Sequence, residues 1–201
     1  MTESGEYRQP TRKEREFSRH HRDILSAAVS LFAENGYYQT TMQMIADRAE
    51  FSVGYLYKHF AGKEEMYREL LVFHLDRLDQ LILETESLGL PPLEEIHRIY
   101  TLICGHFNRH RDFMRIFHQE IGGEFEEIAR SKGRHFRDIV TRLQKAQATG
   151  ELTAFDPYLL GAAIQGATKE LFGEMANRPG DNPFDSLPDV IFRLLIDPLR
   201  K

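Results

Sequence analysis

Apolar positions recur along this chain at spacings of three and four almost throughout, the signature of amphipathic helices. Ile24, Ala27, Ala28, Leu31 and Phe32 predict a first helix over about 16–34. Asn35-Gly36 stops it, glycine suiting a left-handed C-terminal position. "TTMQMIADRA" predicts a short second helix with Met44, Ile45 and Ala49 on one face. Thr41 suits its N-cap, while Thr40 with Gln43 fits a capping box, and both starts stay open. "SVGYLYKHF" predicts a third helix with Ser52 as N-cap. "AGK" breaks it, and a fourth follows over 63–86 with Met66, Leu70, Leu71, Leu75, Leu78 and Ile82 as its stripe. "LGLPP" at 88–92 is a punctuation mark. Further helices are predicted near 92–108, 110–120, 123–148, 157–177 and 186–196, with Asp156-Pro157 opening the fourth of these. No period-2 run, hairpin dipeptide or internal repeat interrupts the series. The expected class is all-α, with about nine helices.

Composition narrows this only a little. The 201 residues are 41% hydrophobic and 28% charged, an ordinary globular balance. A single cysteine, Cys104, leaves no disulfide within the chain and suits a reducing cytosol. The start, "MTESGEYRQPTRKER", lacks the apolar stretch of a secretory signal. No apolar run approaches the roughly eighteen residues of a membrane span. A cytoplasmic protein without membrane contact is expected.

Charge is more informative once mapped. The net charge is −5, yet residues 8–63 carry nine Lys/Arg against six Asp/Glu. Residues 64–201 carry seventeen against twenty-three. The basic excess gathers in Arg8, Arg12, Lys13, Arg15, Arg19 and Arg22. Three parts are expected: a basic flexible arm over 1–15, a unit over 16–62 that meets phosphate, and an acidic body over 63–201.

The second and third predicted helices, joined by the tight turn "AEFS" and packed on the first, form a helix-turn-helix. Phe51 is the expected core plug of the turn. A recognition helix presents its N-terminal residues to base edges, here Ser52, Val53, Gly54 and Tyr55. Gly54 costs about 1 kcal/mol relative to alanine, and close approach to DNA gives it a reason. Tyr57, His59 and Lys63 can donate to phosphate oxygens, with Lys63 also at a helix N-terminus. Leu56, Phe60, Phe32 and Ile45 belong to the core.

Residues 16–70 resemble the DNA-binding domain of the tetracycline-repressor (TetR) family, through "ILSAAVSLFAENGY", "TTMQMIADRA" and above all "VGYLYKHFAGKEEM". The resemblance covers about a quarter of the chain. It implies phosphate contacts from Thr41, Tyr57, His59 and Lys63, and base-facing positions at Gln43, Ser52, Val53, Gly54, Tyr55 and Lys58. It implies a regulator, not an enzyme, that binds double-stranded operator DNA as a homodimer and is released by a small-molecule effector. Glu50 departs from the family, which usually has glycine at this turn. The turn is expected to keep its left-handed shape, with Glu50 pointing towards Arg48 or Lys58.

The C-terminal domain is expected to bind effector and dimerise. Gly161, Ala162, Gly166 and Gly173, with Ile191, Leu194 and Leu195, are the candidate interface, and the resemblance implies a four-helix bundle there. His97, Tyr100, Phe107, Phe113, Phe117 and His118 are the candidate lining of a partly apolar effector pocket. His106 and His110 stand at metal-chelating spacing without the glutamate of a zinc-protease motif. They support the alternative of a helical carrier or enzyme. No cofactor loop or metal set is found.

Overall fold

The computed structural model describes Gln9, residues 11–117 and residues 126–201. The described residues form nine α-helices and no strand. The structure divides into two compact units, Met1–Met66 and Tyr67–Lys201.

The first unit holds α1 (Arg12–Asn35), α2 (Met42–Ala49) and α3 (Val53–Leu56). Helix α1 starts earlier than its apolar stripe predicts, so residues 12–15 of the supposed arm are helical. The reason is a complete capping box: Thr11 accepts from the Glu14 amide, and Glu14 reaches back to the Thr11 amide. Ile24, Ala28 and Phe32 are fully buried, as are Ile45, Ala46 and Leu56. Thr41 caps α2, accepting from the Met44 amide. Thr40 is instead buried, its hydroxyl donating to the carbonyls of Leu31 and Gly36. That settles the start of α2 in favour of Thr41. Helix α3 is one turn shorter than "SVGYLYKHF" suggests. After Leu56 the chain tightens into three-residue turns, with the Lys58 amide donating to Tyr55 and His59 to Leu56.

Helix α4 (Lys63–Glu86) begins in the first unit and continues in the second, followed by α5 (Pro92–Arg109) and α6 (Arg111–Phe117). Then come α7 (Glu126–Ala148), α8 (Pro157–Asn177) and α9 (Leu187–Ile191). Asp156 caps α8 by accepting from Tyr158 and Leu159. The predicted last helix divides: α9 gives way to a π-helical turn over Phe192–Ile196 and a 3-10 turn over Asp197–Leu199. An isolated bridge of Leu152 with Arg200 closes the C-terminal end. The core of this unit gathers Leu93, Ile96, Leu143, Ile164, Ile191 and Ile196.

Charge is buried there too. Arg142 Nε donates to Glu95 at 2.9 Å and its terminal nitrogen to Glu86 at 2.6 Å. The Arg142 and Glu95 side chains are only 6% and 11% exposed, so each needs the other.

Candidate functional site

The helix-turn-helix places its predicted residues unequally. Ser52 caps α3, accepting from the Tyr55 amide at 3.2 Å, and stays exposed. Gly54 is exposed, and a Cβ there would meet nothing within 4 Å. Tyr57 is 55% exposed, and Lys58 and Thr41 are exposed as well. Val53 is half-buried. These residues leave a polar, open face at the start of α3. Gln43 is exposed, but its amide donates to Asp47 at 2.7 Å, so reading a base requires exchanging that bond.

Tyr55 is more constrained than expected. Its phenol shares a hydrogen bond with His20 Nδ1, and its ring stacks on Phe51. Phe51 is half-buried between Tyr55 and His20, not a sealed core plug.

Two expected phosphate ligands are placed differently. Lys63 Nζ donates to the carbonyls of Tyr37 at 2.8 Å, Thr40 at 3.0 Å and Tyr38 at 3.3 Å. It also lies over the Tyr37 ring. All three ammonium donors are spent on the backbone, so Lys63 ties the 37–40 loop to the start of α4. His59 stacks on Phe17, with centroids 3.9 Å apart, and both its ring nitrogens are buried without a partner. Burial, aided by His21 and His20, holds its pKa below the ordinary value. It is a packing group that braces α1 against the end of α3.

Glu50 adopts φ 60°, ψ 35°, the left-handed conformation the turn requires. Its amide donates to Ala46 and Asp47, and its side chain is exposed. Arg48 is not its partner, because the guanidinium forks onto both oxygens of Glu34 at 3.1 and 2.9 Å.

The second unit encloses a cavity of about 810 Å³. Tyr100, Phe107, Phe113 and Phe117 line it as predicted. His97 does not; it pairs with Asp189 at 2.8 Å at the surface and sits edge-on to Phe192. His118 lies outside the described residues. The lining also draws on α4 and α8, which the sequence reading left out, through Leu71, His74, Leu78, Ile82, Thr168 and Phe172. Tyr100 Oη and Thr168 Oγ1 are hydrogen-bonded at 3.0 Å, and burial pushes the phenol up to about 12.

His106 and His110 join His74 in a ring cluster, His106 and His74 buried and His110 half-buried, closed by Phe113, which stacks on His74 at 3.8 Å. His74 Nδ1 and His106 Nε2 are hydrogen-bonded at 2.8 Å. Burial lowers their pKa values to about 3 and about 4, and lowers that of His110 as well. Among the described residues, no group of three His, Cys, Asp or Glu is arranged to hold a metal. The pair that supported a carrier or enzyme is packed against His74, His106 buried and His110 half-buried. Cys104 is buried too, its thiol pushed up to about 12 by burial.

The candidate interface also separates. Ile191 is 1% exposed and sits in the core, with Leu195 packed against it. Gly161 is buried where α8 meets α7, and a Cβ there would lie 2.9 Å from Val140 Cγ2. Gly173 is half-buried. Ala162, Gly166 and Leu194 are exposed.

Besides the α4 and α8 walls of the cavity, two groups of residues escaped the sequence reading: the Phe17, His20 and His21 turn, and the Arg142 ion pairs. A signal existed for the first. Phe17, His20 and His21 extend the Ile24, Ala27/Ala28, Leu31 stripe backwards at helical spacing.

The profile of "Bacterial regulatory proteins, tetR family" matches residues 24–70. The HTH-type transcriptional regulator YhgD of Bacillus subtilis is 29% identical over 140 residues, 68% of this chain and 73% of the relative. The HTH-type transcriptional repressor KstR2 of Mycobacterium tuberculosis is 35% identical over 98 residues, so the match spans about half of each protein, 49%. The structure of KstR2, a ketosteroid transcriptional regulator, superposes with a TM-score of 0.78 at 23% identity, covering 90% of this chain and 95% of that one. PfmR from Thermus thermophilus superposes at 0.74 and 24% identity, covering 85% and 97%. Residues 24–70 thus match the tetR family of bacterial regulatory proteins, and the superpositions show that the chain shares the fold of KstR2 and PfmR.

Proposed function

We propose that this chain represses transcription by binding a palindromic operator as a dimer, and that a small molecule in the second unit's cavity releases it. Regulators of this family bind operator DNA and are usually dimers with small-molecule effectors. The observation that carries the reading is the open N-terminal face of α3, where Ser52, Gly54, Tyr57 and Lys58 are exposed beside Thr41. Thr41 and Tyr57 are the phosphate donors on this view, and Ser52, Val53, Gly54, Tyr55 and Lys58 face the bases. Lys63 and His59 support the contact by fixing the backbone around it.

The dimer face is the exposed stripe of α8, Leu159, Ala162, Ala163 and Gly166, with Leu194 alongside. Leu159 and Leu194 are 59% and 65% exposed, a solvent cost that a partner subunit removes. The two recognition helices then sit about one DNA turn apart, roughly 34–36 Å. The cavity supports an apolar effector, and the match to KstR2, whose name refers to ketosteroids, points the same way. On this view the unit ending at Met66 binds DNA and the unit from Tyr67 to Lys201 holds the cavity and the dimer face, with residues 12–15 part of α1 and not of an arm.

A mobility-shift titration on DNA flanking the gene tests this. A palindrome-dependent shift that weakens steeply with salt is expected. A protein that shifts no duplex at low salt would overturn the reading.

A further inference from the structure

Tyr100 on α5 and Thr168 on α8 meet in the lining of the second unit's cavity, with 3.0 Å between Oη and Oγ1. In that pair alone, either oxygen could donate. A third group sets the direction. Thr168 Oγ1 lies 2.7 Å from the Ile164 carbonyl, one turn back on α8. A carbonyl only accepts, and a threonine hydroxyl has one proton. That proton is committed to Ile164, the back-bond of a helical threonine. Tyr100 therefore donates to Thr168. The phenol has spent its own proton, and its oxygen keeps acceptor capacity. Tyr100 is buried and lines the cavity, so any further partner of that oxygen comes from the cavity's contents.

The charges of the described lining are met within the protein. Arg142 is held by Glu86 and Glu95, and Asp138 stands one turn from it on α7. His135 pairs with Asp79. Lys132 and Lys169 are exposed and neither lacks a partner, Lys132 lying over the Phe117 ring. His74 is uncharged, burial holding its pKa at about 3, and its Nδ1 is engaged by His106. Much of the remaining wall is aliphatic or aromatic and buried, as at Leu71, Leu75, Ile96, Phe107 and Phe172. A charged ligand group in this interior loses its water without gaining an opposite charge. A hydroxyl loses far less and recovers it with one hydrogen bond.

We infer that the effector is an uncharged apolar molecule with a hydroxyl group, which it donates to Tyr100 Oη while Tyr100 donates to Thr168. This rests on the cavity being the effector site. A ketone of the same skeleton brings only acceptor lone pairs, and it faces an oxygen with no proton left to give. It gains a hydrogen bond there only by breaking the one between Tyr100 and Thr168. A carboxylate carries the same mismatch and adds the desolvation of its charge.

Calorimetric titration of the full chain with cyclododecanol, cyclododecanone and cyclododecanecarboxylate tests the inference. The alcohol is expected to bind about tenfold tighter than the ketone, the scale of one hydrogen bond, with the carboxylate weakest. Thr168→Val keeps the side-chain shape and removes the acceptor of the phenolic proton. In that variant Tyr100 has a proton to offer, so the ketone should bind at least as well as the alcohol. Tyr100→Phe should bind the two equally. Ketone binding by either variant also shows that it is folded, and the parent's alcohol-to-ketone ratio decides the assignment without them. Equal binding of alcohol and ketone by the parent, a preference for alcohol that survives Thr168→Val, or tightest binding of the carboxylate overturns the hydroxyl assignment and leaves the cavity as the effector site. Binding of none of the three overturns the effector reading itself, and the hydroxyl assignment with it.

Discussion

Tyr55 on α3 and His20 on α1, thirty-five residues apart in sequence, share a hydrogen bond with 3.0 Å between the phenol oxygen and Nδ1. Phe51 stacks on the same tyrosine ring. The direction of the ring is thus set by the protein before any DNA arrives.

His20→Ala should release that phenol. The fold should lose about 1 kcal/mol, the net worth of one such bond. Operator discrimination should relax more than overall affinity falls. Titrations over an operator and its single-base variants measure both. An equal loss on every sequence would move Tyr55 from base reading to phosphate contact.

Lys63→Ala should cost the first unit stability, because three backbone carbonyls lose a charged donor. Hydrogen bonds to charged groups are worth about 1.5–3 kcal/mol each, so a loss of at least that size is expected in urea denaturation. Lys63→Arg should not restore it, since a planar guanidinium cannot fill a three-carbonyl cradle. A variant as stable as the parent would return Lys63 to the phosphate contacts.

Glu50→Gly should stabilise the protein by about 1 kcal/mol, the cost of a left-handed side-chain-bearing residue. It also removes a negative charge from the neighbourhood of bound phosphates. Denaturation midpoints and operator titration should improve together. Abolished operator binding would show that Glu50 has a positive task in the turn.

Acid should destabilise the second unit. His74 and His106 have folded pKa values near 3 and 4, below the ordinary histidine value of about 6.5. The folded state therefore binds fewer protons than the unfolded chain between those limits. Stability is full above about pH 6.5 and falls as pH drops through the window, by about 1.4 kcal/mol per pH unit for each proton. Thermal melts at stepped pH should show this slope, and H74F/H106L should flatten it. An unchanged slope would place the titrating groups elsewhere.

Gly161→Ala should destabilise, although alanine is the better helix former by about 1 kcal/mol. Its Cβ would lie 2.9 Å from Val140 Cγ2, and Val140 is stiff at χ1. Overpacking of about 1–3 kcal/mol is expected to win. V140A in the same chain should recover stability. A stabilised single variant would show that α7 yields freely.

The helices and most of the first unit's core were legible because burial imposes a period. Ile24, Ala28, Phe32, Ile45 and Leu56 stand at helical spacing and are all fully buried. The open face of α3 was legible because capping and exposure are local properties of Ser52 and Gly54. Lys63 and His59 were not. A lysine held by main-chain carbonyls twenty-three or more residues away looks like any surface lysine in sequence. A histidine against Phe17 is decided by a partner forty-two positions earlier. The cavity was half legible: its α5 and α6 aromatics were apparent, but not the α4 and α8 walls, since a stripe facing a void has the same pattern as one facing a core. The inner helical positions of Glu95 and Arg142 were a sign of pairing that went unread.

The cradle of Lys63 also bears on how this sequence can drift. Its acceptors are carbonyls, which every residue supplies whatever its side chain. Positions 38 and 39 can exchange side chains over generations without loosening the loop, whereas position 63 has no synonym among the amino acids. A single lysine thus makes the approach to α2 tolerant of variation along its length by concentrating the intolerance in one place.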